Sequence, residues 1–204
     1  MTLNDFTTLI SGASDPVILI EGRRSIPEDA ADDARRLASL LAQRFPQLLF
    51  RSGNATGSDE AFSAGVIDVS PERLQVVTPY EGHRKKQRHP LVSYHSPEAL
   101  GADDVEKIKA TTATATPANR GLMKCYGRGG RAGAQAACLI RDTLKVTGIP
   151  GQLKPPSAAL FWIDPEEPEA GGTGHTIRVC RSSNIPTIFQ DSWASWLSEL
   201  QTQD

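Results

Sequence analysis

The sequence predicts an α/β protein with a Rossmann-like, doubly wound parallel sheet flanked by helices. Short apolar patterns typical of strands alternate with helical patterns, which indicates parallel strands joined by helical crossovers. The strand patterns are continuously apolar rather than alternating, as expected when both faces of a sheet are covered. The length of 204 residues fits one large domain, and no internal repeat divides it. We therefore predict a single domain over residues 1–204, with an irregular insertion at about 80–130.

The first part of the chain contains three strand patterns separated by helices. The predicted strands cover residues 16–22, 48–50 and 74–77. The first helix is predicted to begin at Ser25, because Ser25 and Glu28 have the spacing of a capping box and Pro27 falls in the first turn. A second helical pattern covers 58–66. This order predicts one strand–helix–strand unit following another.

The second part of the chain is less regular until it returns to strands and helices. A polar, basic stretch at 80–96, a helix at 97–110 and a small-residue loop at 111–117 are predicted within the insertion. The elements predicted after it are a helix at 132–147, a strand at 158–163, a helix at 176–183, a strand at 185–189 and a helix at 193–200. Together these elements complete the doubly wound sheet.

Composition narrows the classes of protein that the chain can belong to. Twenty-two Lys and Arg against 24 Asp and Glu give a net charge of −2, which excludes a global basic field for wrapping nucleic acid. No apolar run approaches the roughly 18 residues of a membrane span, and the first residues lack the pattern of a signal peptide. Three scattered cysteines do not form a disulfide framework. We expect a cytoplasmic protein with no membrane association.

Two glycine-rich segments, each placed between a predicted strand and a predicted helix, are the candidate binding loops. The first reads Arg-Ser-Gly-Asn-Ala-Thr-Gly-Ser-Asp over 51–59, and the second reads Ala-Gly-Gly-Thr-Gly-His-Thr over 170–176. Glycine lets a ligand approach the backbone, and the start of a helix favours an anion. The alternative is that each segment is only a tight turn. Neither has the spacing of a P-loop or a dinucleotide-binding fingerprint, which disfavours the usual ATPases and NAD enzymes.

The same segments resemble the SMF/DprA–LOG (SLOG) superfamily, nearest its YspA-like and phage branch. The resemblance rests on a first strand ending in Gly22-Arg23, on the segment 52–59 before a helix with Ala61 and Ala64, and on the second loop at 171–176. It implies a Rossmann-like fold with a pocket for a nucleotide or nucleotide-derived ligand at the carboxyl edge of the sheet. The stretch between 80 and 130 has no counterpart in it.

The resemblance also bears on catalysis. The branch that hydrolyses the N-glycosidic bond of nucleoside monophosphates uses Pro-Gly-Gly-x-Gly-Thr-x-x-Glu, whereas this sequence has Ala170, His175 and Arg178 in place of the Pro, the Thr and the catalytic Glu. A cation opposes the oxocarbenium-like centre that a carboxylate stabilises. We therefore expect binding or sensing rather than catalysis. The alternative is a nucleotide hydrolase with Asp59 as its carboxylate.

The expected site is a phosphate held between the two loops. Its expected residues are Ser52, Gly53, Asn54, Gly57 and Ser58 on one side, Gly171, Gly172, Thr173, Gly174, His175 and Thr176 on the other, Gly22 and Arg23 on the floor, and Thr78 and Arg84 at the rim. No cofactor is expected beyond the nucleotide-type ligand itself. A homo-oligomer is compatible with the sequence.

Two further features have competing interpretations. The run His-Arg-Lys-Lys-Gln-Arg-His at 83–89 either covers ligand phosphates or is a solvated loop. Besides the nucleotide hydrolase, a second alternative to ligand binding is a nucleic-acid-binding module of the DNA-processing type, in which this run would contact nucleic acid. The net charge of the chain makes nucleic acid an unfavoured partner. The pair Arg141-Asp142 either faces the pocket or, more simply, is exposed. Histidines six residues apart at 83, 89 and 95 match no common zinc spacing, so no metal is expected.

Overall fold

The computed structural model describes residues 1–202 and contains a six-stranded, all-parallel sheet within them. Its strands are β1 Val17–Gly22, β2 Leu49–Ser52, β3 Leu74–Val77, β4 Ser93–His95, β5 Ala158–Trp162 and β6 Thr187–Phe189. Their spatial order is β4-β3-β2-β1-β5-β6. The chain therefore builds outward from β1 to one edge and then crosses to the other side. The point where the order reverses lies between β1 and β5.

Helices cover both faces of the sheet. They are α1 Leu3–Ser11, α2 Glu28–Arg44, α3 Ser58–Ile67, α4 Ala102–Ala115, α5 Arg120–Met123, α6 Gly130–Thr147, α7 Gly171–Ser182, α8 Gln190–Trp193 and α9 Trp196–Gln201. One core packs α1, α2, α3 and α9 against the face of the sheet that carries Ile18, Ile20 and Phe50. The opposite face, with Leu19 and Phe161, packs against α7, while α4 and α6 enclose a third apolar cluster. This confirms the predicted α/β class and its flanking helices.

The differences from the predicted elements have local causes. Strand β4 lies within the basic stretch, where only three residues pair with β3 and no apolar run in the sequence indicates a strand. Helix α4 continues through the segment predicted as a loop, because its threonines are packed into the core or donate to carbonyls one turn earlier. Ser25 does not cap α2, which begins after Pro27 without a side-chain cap. Helix α1 was not predicted, although a Thr2–Asp5 capping box begins it.

The length and hydropathy of each helix show whether it could cross a membrane. Among residues 1–202, no helix has both the length and the apolar character that crossing a bilayer requires.

Candidate ligand-binding cavity

A cavity of about 950 Å³ opens at the carboxyl edge of the sheet, beside the point where the strand order reverses. Open α/β sheets bind ligands at such switch points, because the loops after the two neighbouring strands diverge there. The end of β1, the start of α7 and one face of α6 form its floor and walls, and the α4–α5 connection closes one side.

Helix α7 presents its N-terminus to the cavity. The backbone N–H groups of Gly171, Gly172 and Thr173 donate to no acceptor within residues 1–202, and the N-cap Ala170 has no side chain that could cap them. Gly171 has a φ of +63°, which favours glycine, and the Thr173 hydroxyl donates to the Gly22 carbonyl at 2.9 Å. The hydroxyl ties the helix start to the end of β1. The second loop thus offers free N–H donors together with the positive end of a helix dipole.

The first glycine-rich loop differs from the second, because a carboxylate at the start of α3 accepts from two of its backbone N–H groups. Asp59 Oδ2 accepts from the backbone N–H groups of Gly53 at 3.0 Å and Ala55 at 3.4 Å, while its Oδ1 accepts from Gly22 N–H at 3.3 Å. This carboxylate therefore caps the loop and joins it to β1. Of the loop between β2 and α3, only Ala55 reaches the cavity wall. The expected phosphate clamp between two equal loops is not the arrangement found.

Gly57 and Ser58 attach the same loop to the segment after β1. Gly57 has a φ of +78°, and a Cβ on it would lie 2.2 Å from the carbonyl oxygen of Arg24. The Ser58 hydroxyl and backbone N–H both donate to the Arg23 carbonyl, at 2.8 and 3.0 Å. These two residues therefore hold the backbone that carries the Arg23 and Arg24 side chains to the cavity. Their role in the structure is to position the site.

A cluster of buried charges forms the floor of the cavity. Lys145 Nζ lies 2.6 Å from Glu21 Oε2 and 3.0 Å from Asp142 Oδ1, and it is fully buried. Arg141 donates to Asp142 Oδ1 through Nε and Nη2, at 3.0 and 2.7 Å, and to the Gly53 carbonyl through Nη1 at 2.9 Å. The prediction that Arg141 and Asp142 are exposed is therefore wrong. The face of α6 that carries them packs onto the ends of β1 and β2, which a sequence pattern along one helix does not reveal.

Burial and neighbouring charges shift the pKa values in this cluster in opposite directions. Burial raises the pKa of Glu21 to about 8, with Lys145 opposing the shift and Asp142 adding to it. Burial alone would also raise the pKa of Asp142, but Arg141 and Lys145 outweigh it and hold this pKa below its usual value. Titratable groups shifted apart in this way within a cavity are typical of functional sites. Neither Glu21 nor Lys145 was predicted as a site residue.

His175 lies behind the cavity wall rather than on it. Its Nδ1 is 2.8 Å from Thr116 Oγ1, and its Nε2 is 2.9 Å from Thr143 Oγ1. Thr116 Oγ1 already accepts from Arg178 Nε and Nη2, so its single proton donates to Nδ1, which assigns the imidazole hydrogen to Nε2. His175 thus joins α4, α6 and α7. Arg178, which also donates to the Ala115 carbonyl, lines the cavity as part of this wall.

The buried imidazole predicts a dependence of stability on pH. Burial lowers the pKa of His175 to about 4, against an ordinary value of 6.5. As the pH falls from about 6.5 to 4, the unfolded chain takes up this proton first, so the free energy of unfolding falls, by roughly 3 kcal/mol in total. When the free energy of unfolding is measured with urea across this range and plotted against pH, its slope is expected to be shallower for His175→Gln than for the wild type. A His89→Gln control should keep the wild-type slope, and an unchanged slope in His175→Gln would contradict the assignment.

The basic run at 83–89 flanks the first loop but does not line the cavity. Arg84 has a φ of +47° and donates to the Asn54 carbonyl at 3.2 Å, while Arg88 lies over the Tyr94 ring at 4.5 Å. Lys85 and Lys86 are exposed and form no ion pair within the described chain. Of the four cations expected to cover a phosphate, Arg84 is therefore occupied in joining the basic run to the first glycine-rich loop, and Arg88 in holding its own segment through the Glu81 and His83 carbonyls.

The structure brings together only part of the expected site. The expected residues that line the cavity are Gly22, Arg23, Asp59, Gly171, Gly172 and Thr173. Those placed behind it or beside it are Ser52, Gly53, Asn54, Gly57, Ser58, Thr78, Arg84, Gly174, His175 and Thr176. Thr78 lies farthest toward the sheet edge, where its hydroxyl donates between the Tyr80 and His95 carbonyls. The polar lining residues that were not predicted for the expected site are Glu21, Arg24, Ser25, Thr116, Asn119, Arg131, Gln135, Arg141, Asp142 and Arg178.

Fold and site together define an α/β protein with a Rossmann-like parallel sheet and a charged cavity at its switch point. None of the protein-family models, curated proteins or solved structures compared with the chain matches it. The assignment of function therefore depends on the chemistry of the cavity.

Proposed function

We propose that the protein binds a nucleotide or nucleotide-derived ligand in this cavity, as a sensor or accessory protein rather than as a catalyst. The observation that carries the proposal is the start of α7, where three consecutive N–H groups without acceptors face a cavity of about 950 Å³. Ligand pockets of drug-sized molecules occupy about 300–1,000 Å³, so a nucleotide fits this space. A phosphate is the anion that best matches a free helix N-terminus.

Two arginines support an anionic ligand. Arg24 and Arg131 both line the cavity, are exposed, and form no hydrogen bond or ion pair within residues 1–202. The stretch 107–141, which contains Arg131, includes no acidic residue. Arginine forms two parallel hydrogen bonds to a phosphate, and neither side chain has an ion-pair partner within the described residues that a ligand would have to displace. The mouth of the cavity is thus the natural place for ligand phosphates.

The wall formed by the α4–α5 connection, α5 and α6 suits the remainder of a nucleotide. Leu122 and Leu139 present apolar surface to the cavity, and the Asn119 amide lies between α4 and α5 on the same wall. An apolar surface beside an amide suits a planar base, because the amide offers both a donor and an acceptor to its edge. The cavity therefore combines an anion-binding end with a base-binding wall.

The two arginines provide the test of this proposal. A thermal-shift screen of nucleotides, ADP-ribose derivatives and cyclic dinucleotides identifies the ligand, since a compound at one hundred times its Kd adds about 2.7 kcal/mol of stability. In calorimetry with AMP, or with the best binder of the screen, Arg24→Gln/Arg131→Gln is expected to weaken binding about 10–100-fold. The affinity of the double variant for the uncharged nucleoside should fall far less.

The control for this experiment is Arg36→Gln, which removes an exposed arginine of α2 that does not line the cavity. It should bind both ligands as the wild type does. If the double variant lost the same factor of affinity for the nucleotide as for its nucleoside, this would contradict the proposal that a phosphate binds at the mouth of the cavity. Absence of binding by every compound of the screen would overturn the proposed function itself.

The hydrolase alternative receives less support from the contacts. Asp59, the carboxylate on which it depended, accepts three backbone N–H groups and is 1% exposed, so it serves the loop rather than a substrate. Arg178 lies at the cavity wall, where the alternative needs a carboxylate. We therefore keep binding as the proposed function.

A further inference from the structure

One carboxylate oxygen of Asp142 is open to the cavity and has no hydrogen-bond donor. Asp142 Oδ1 accepts from Arg141 and lies 3.0 Å from Lys145 Nζ, but Asp142 Oδ2 accepts from no group within residues 1–202. The residue is 2% exposed and lines the cavity, and Oδ2 is not one of the side-chain atoms sealed from solvent without a partner. An ionised oxygen in this position is free to accept a hydrogen bond from a ligand in the cavity.

We propose that Asp142 Oδ2 binds the 2′ and 3′ hydroxyl groups of a ribose and so selects ribonucleotides over deoxyribonucleotides. This inference rests on the proposed function, since it assigns the sugar of the same ligand. A carboxylate accepts hydrogen bonds only, which restricts its partner to a donor. The hydroxyls of a sugar are such donors, and they remain neutral beside the charges of the floor.

The other acids of the cavity do not compete for this role. Both oxygens of Asp59 already accept backbone N–H groups. Glu21 Oε1 accepts from the Thr176 hydroxyl at 3.0 Å, and Glu21 Oε2 is a fully buried atom 2.6 Å from Lys145 Nζ. Asp142 therefore supplies the acceptor that a ligand in the cavity meets.

The position of Asp142 relative to α7 identifies the part of the ligand that it meets. Its Oδ2 lies 3.0 Å from the place that a Cβ on Gly172 would occupy. The acceptor is thus next to the free N–H groups at the helix start, where the proposed phosphate binds. A second anion against this oxygen would be repelled, whereas the sugar is the part of a nucleotide that is joined directly to the phosphate. The base, one unit farther along, extends toward the wall formed by α4 and α5.

The neighbours of Asp142 keep this oxygen ionised and in place. Arg141 holds Oδ1 through two nitrogen atoms, and Lys145 forms an ion pair with the same oxygen. All three contacts fall on Oδ1, so they hold the carboxylate by one oxygen and leave Oδ2 available to a ligand. An acceptor held in this way loses little entropy on binding, which favours discrimination between ligands that differ in one hydroxyl.

The experiment compares AMP with 2′-deoxy-AMP and 3′-deoxy-AMP by calorimetry, in the wild type and in Asp142→Asn. The wild type is expected to bind each deoxynucleotide about 10–100-fold more weakly than AMP, as befits hydrogen bonds to a charged group. In Asp142→Asn the preference for AMP should fall to about threefold or less, because an amide offers one weaker acceptor. The ratio of affinities within each variant is the readout, so a loss of stability common to all three ligands does not alter it.

Two further variants separate this role from a general effect on the floor. Asp164→Asn, which alters an acid paired with Arg23 outside the cavity, should keep the wild-type preference. Gly172→Ala, whose methyl group would press on Oδ2 while leaving every charge in place, should reduce the preference as Asp142→Asn does. Equal binding of AMP and both deoxynucleotides by the wild type would overturn the inference and leave the proposed function standing. Failure of every nucleotide to bind would overturn both.

Discussion

Replacing Lys145 by methionine is expected to lower the free energy of unfolding by about 3–5 kcal/mol. The ammonium group is fully buried within 3.0 Å of both Glu21 and Asp142, so its removal leaves the ionised Asp142 with Arg141 alone and takes from Glu21 the cation that favours its charged form. Burying an unpaired charge costs much more than a surface ion pair contributes. Urea unfolding followed by circular dichroism measures the change.

Two comparisons make this expectation specific. Lys107→Met removes an exposed partner of Asp104 and should cost less than about 1 kcal/mol. Adding Glu21→Gln to Lys145→Met should recover part of the lost stability, because the amide no longer needs a cation. A Lys145→Met variant as stable as the wild type would show that the cluster does not depend on its lysine.

Gly174→Ala is expected to cost about 3 kcal/mol or more, or to prevent folding. A Cβ on Gly174 would lie 1.8 Å from the carbonyl oxygen of Glu169 and 2.1 Å from its carbonyl carbon, and a backbone contact of this kind is not relieved by rotating a side chain. The expected role of Gly174 in contacting a ligand is thus replaced by a role in packing. Thermal unfolding of the purified variant measures the effect.

The matched control lies two residues earlier in the same helix. A Cβ on Gly172 would meet only the Asp142 carboxylate, with Oδ2 at 3.0 Å, so Gly172→Ala should fold with a stability within about 1 kcal/mol of the wild type. Its effect should appear in ligand binding instead. If Gly174→Ala were as stable as Gly172→Ala, the close passage of the Glu169 backbone would not constrain the helix start.

The fold was predictable because each strand and crossover leaves a local signal. Continuous apolar strands and helical spacing identified five of the six strands and the long helices around them. Strand β4 was not predicted, because only three residues pair there and the surrounding stretch is polar. Helix α4 extended beyond its predicted end because tertiary packing accommodates threonines that have weak helical propensity.

The site was less predictable, because its charged floor is assembled from separate elements. Glu21 ends a strand and Lys145 lies near the end of a helix, positions that in a sequence resemble ordinary solvated charges. Their burial follows from packing α6 onto the ends of the strands, which no local pattern encodes. The first glycine-rich segment was predicted correctly as a strand-to-helix connection, whereas the second forms the first turns of α7, which begins at Gly171 rather than at the predicted residue 176. That Asp59 would accept from two donors of the first loop depends on the fold of that loop onto α3.

The two outer strands, β4 and β6, are each three residues long. The exposed edge of a sheet carries unpaired backbone groups that can join the strand of another molecule, which is a common start of aggregation. Edges this short offer few such groups, and the cations at 84–88 precede β4 and repel a second copy of the same edge. The two edges of the parallel sheet therefore offer little backbone to which a strand of a second copy could pair.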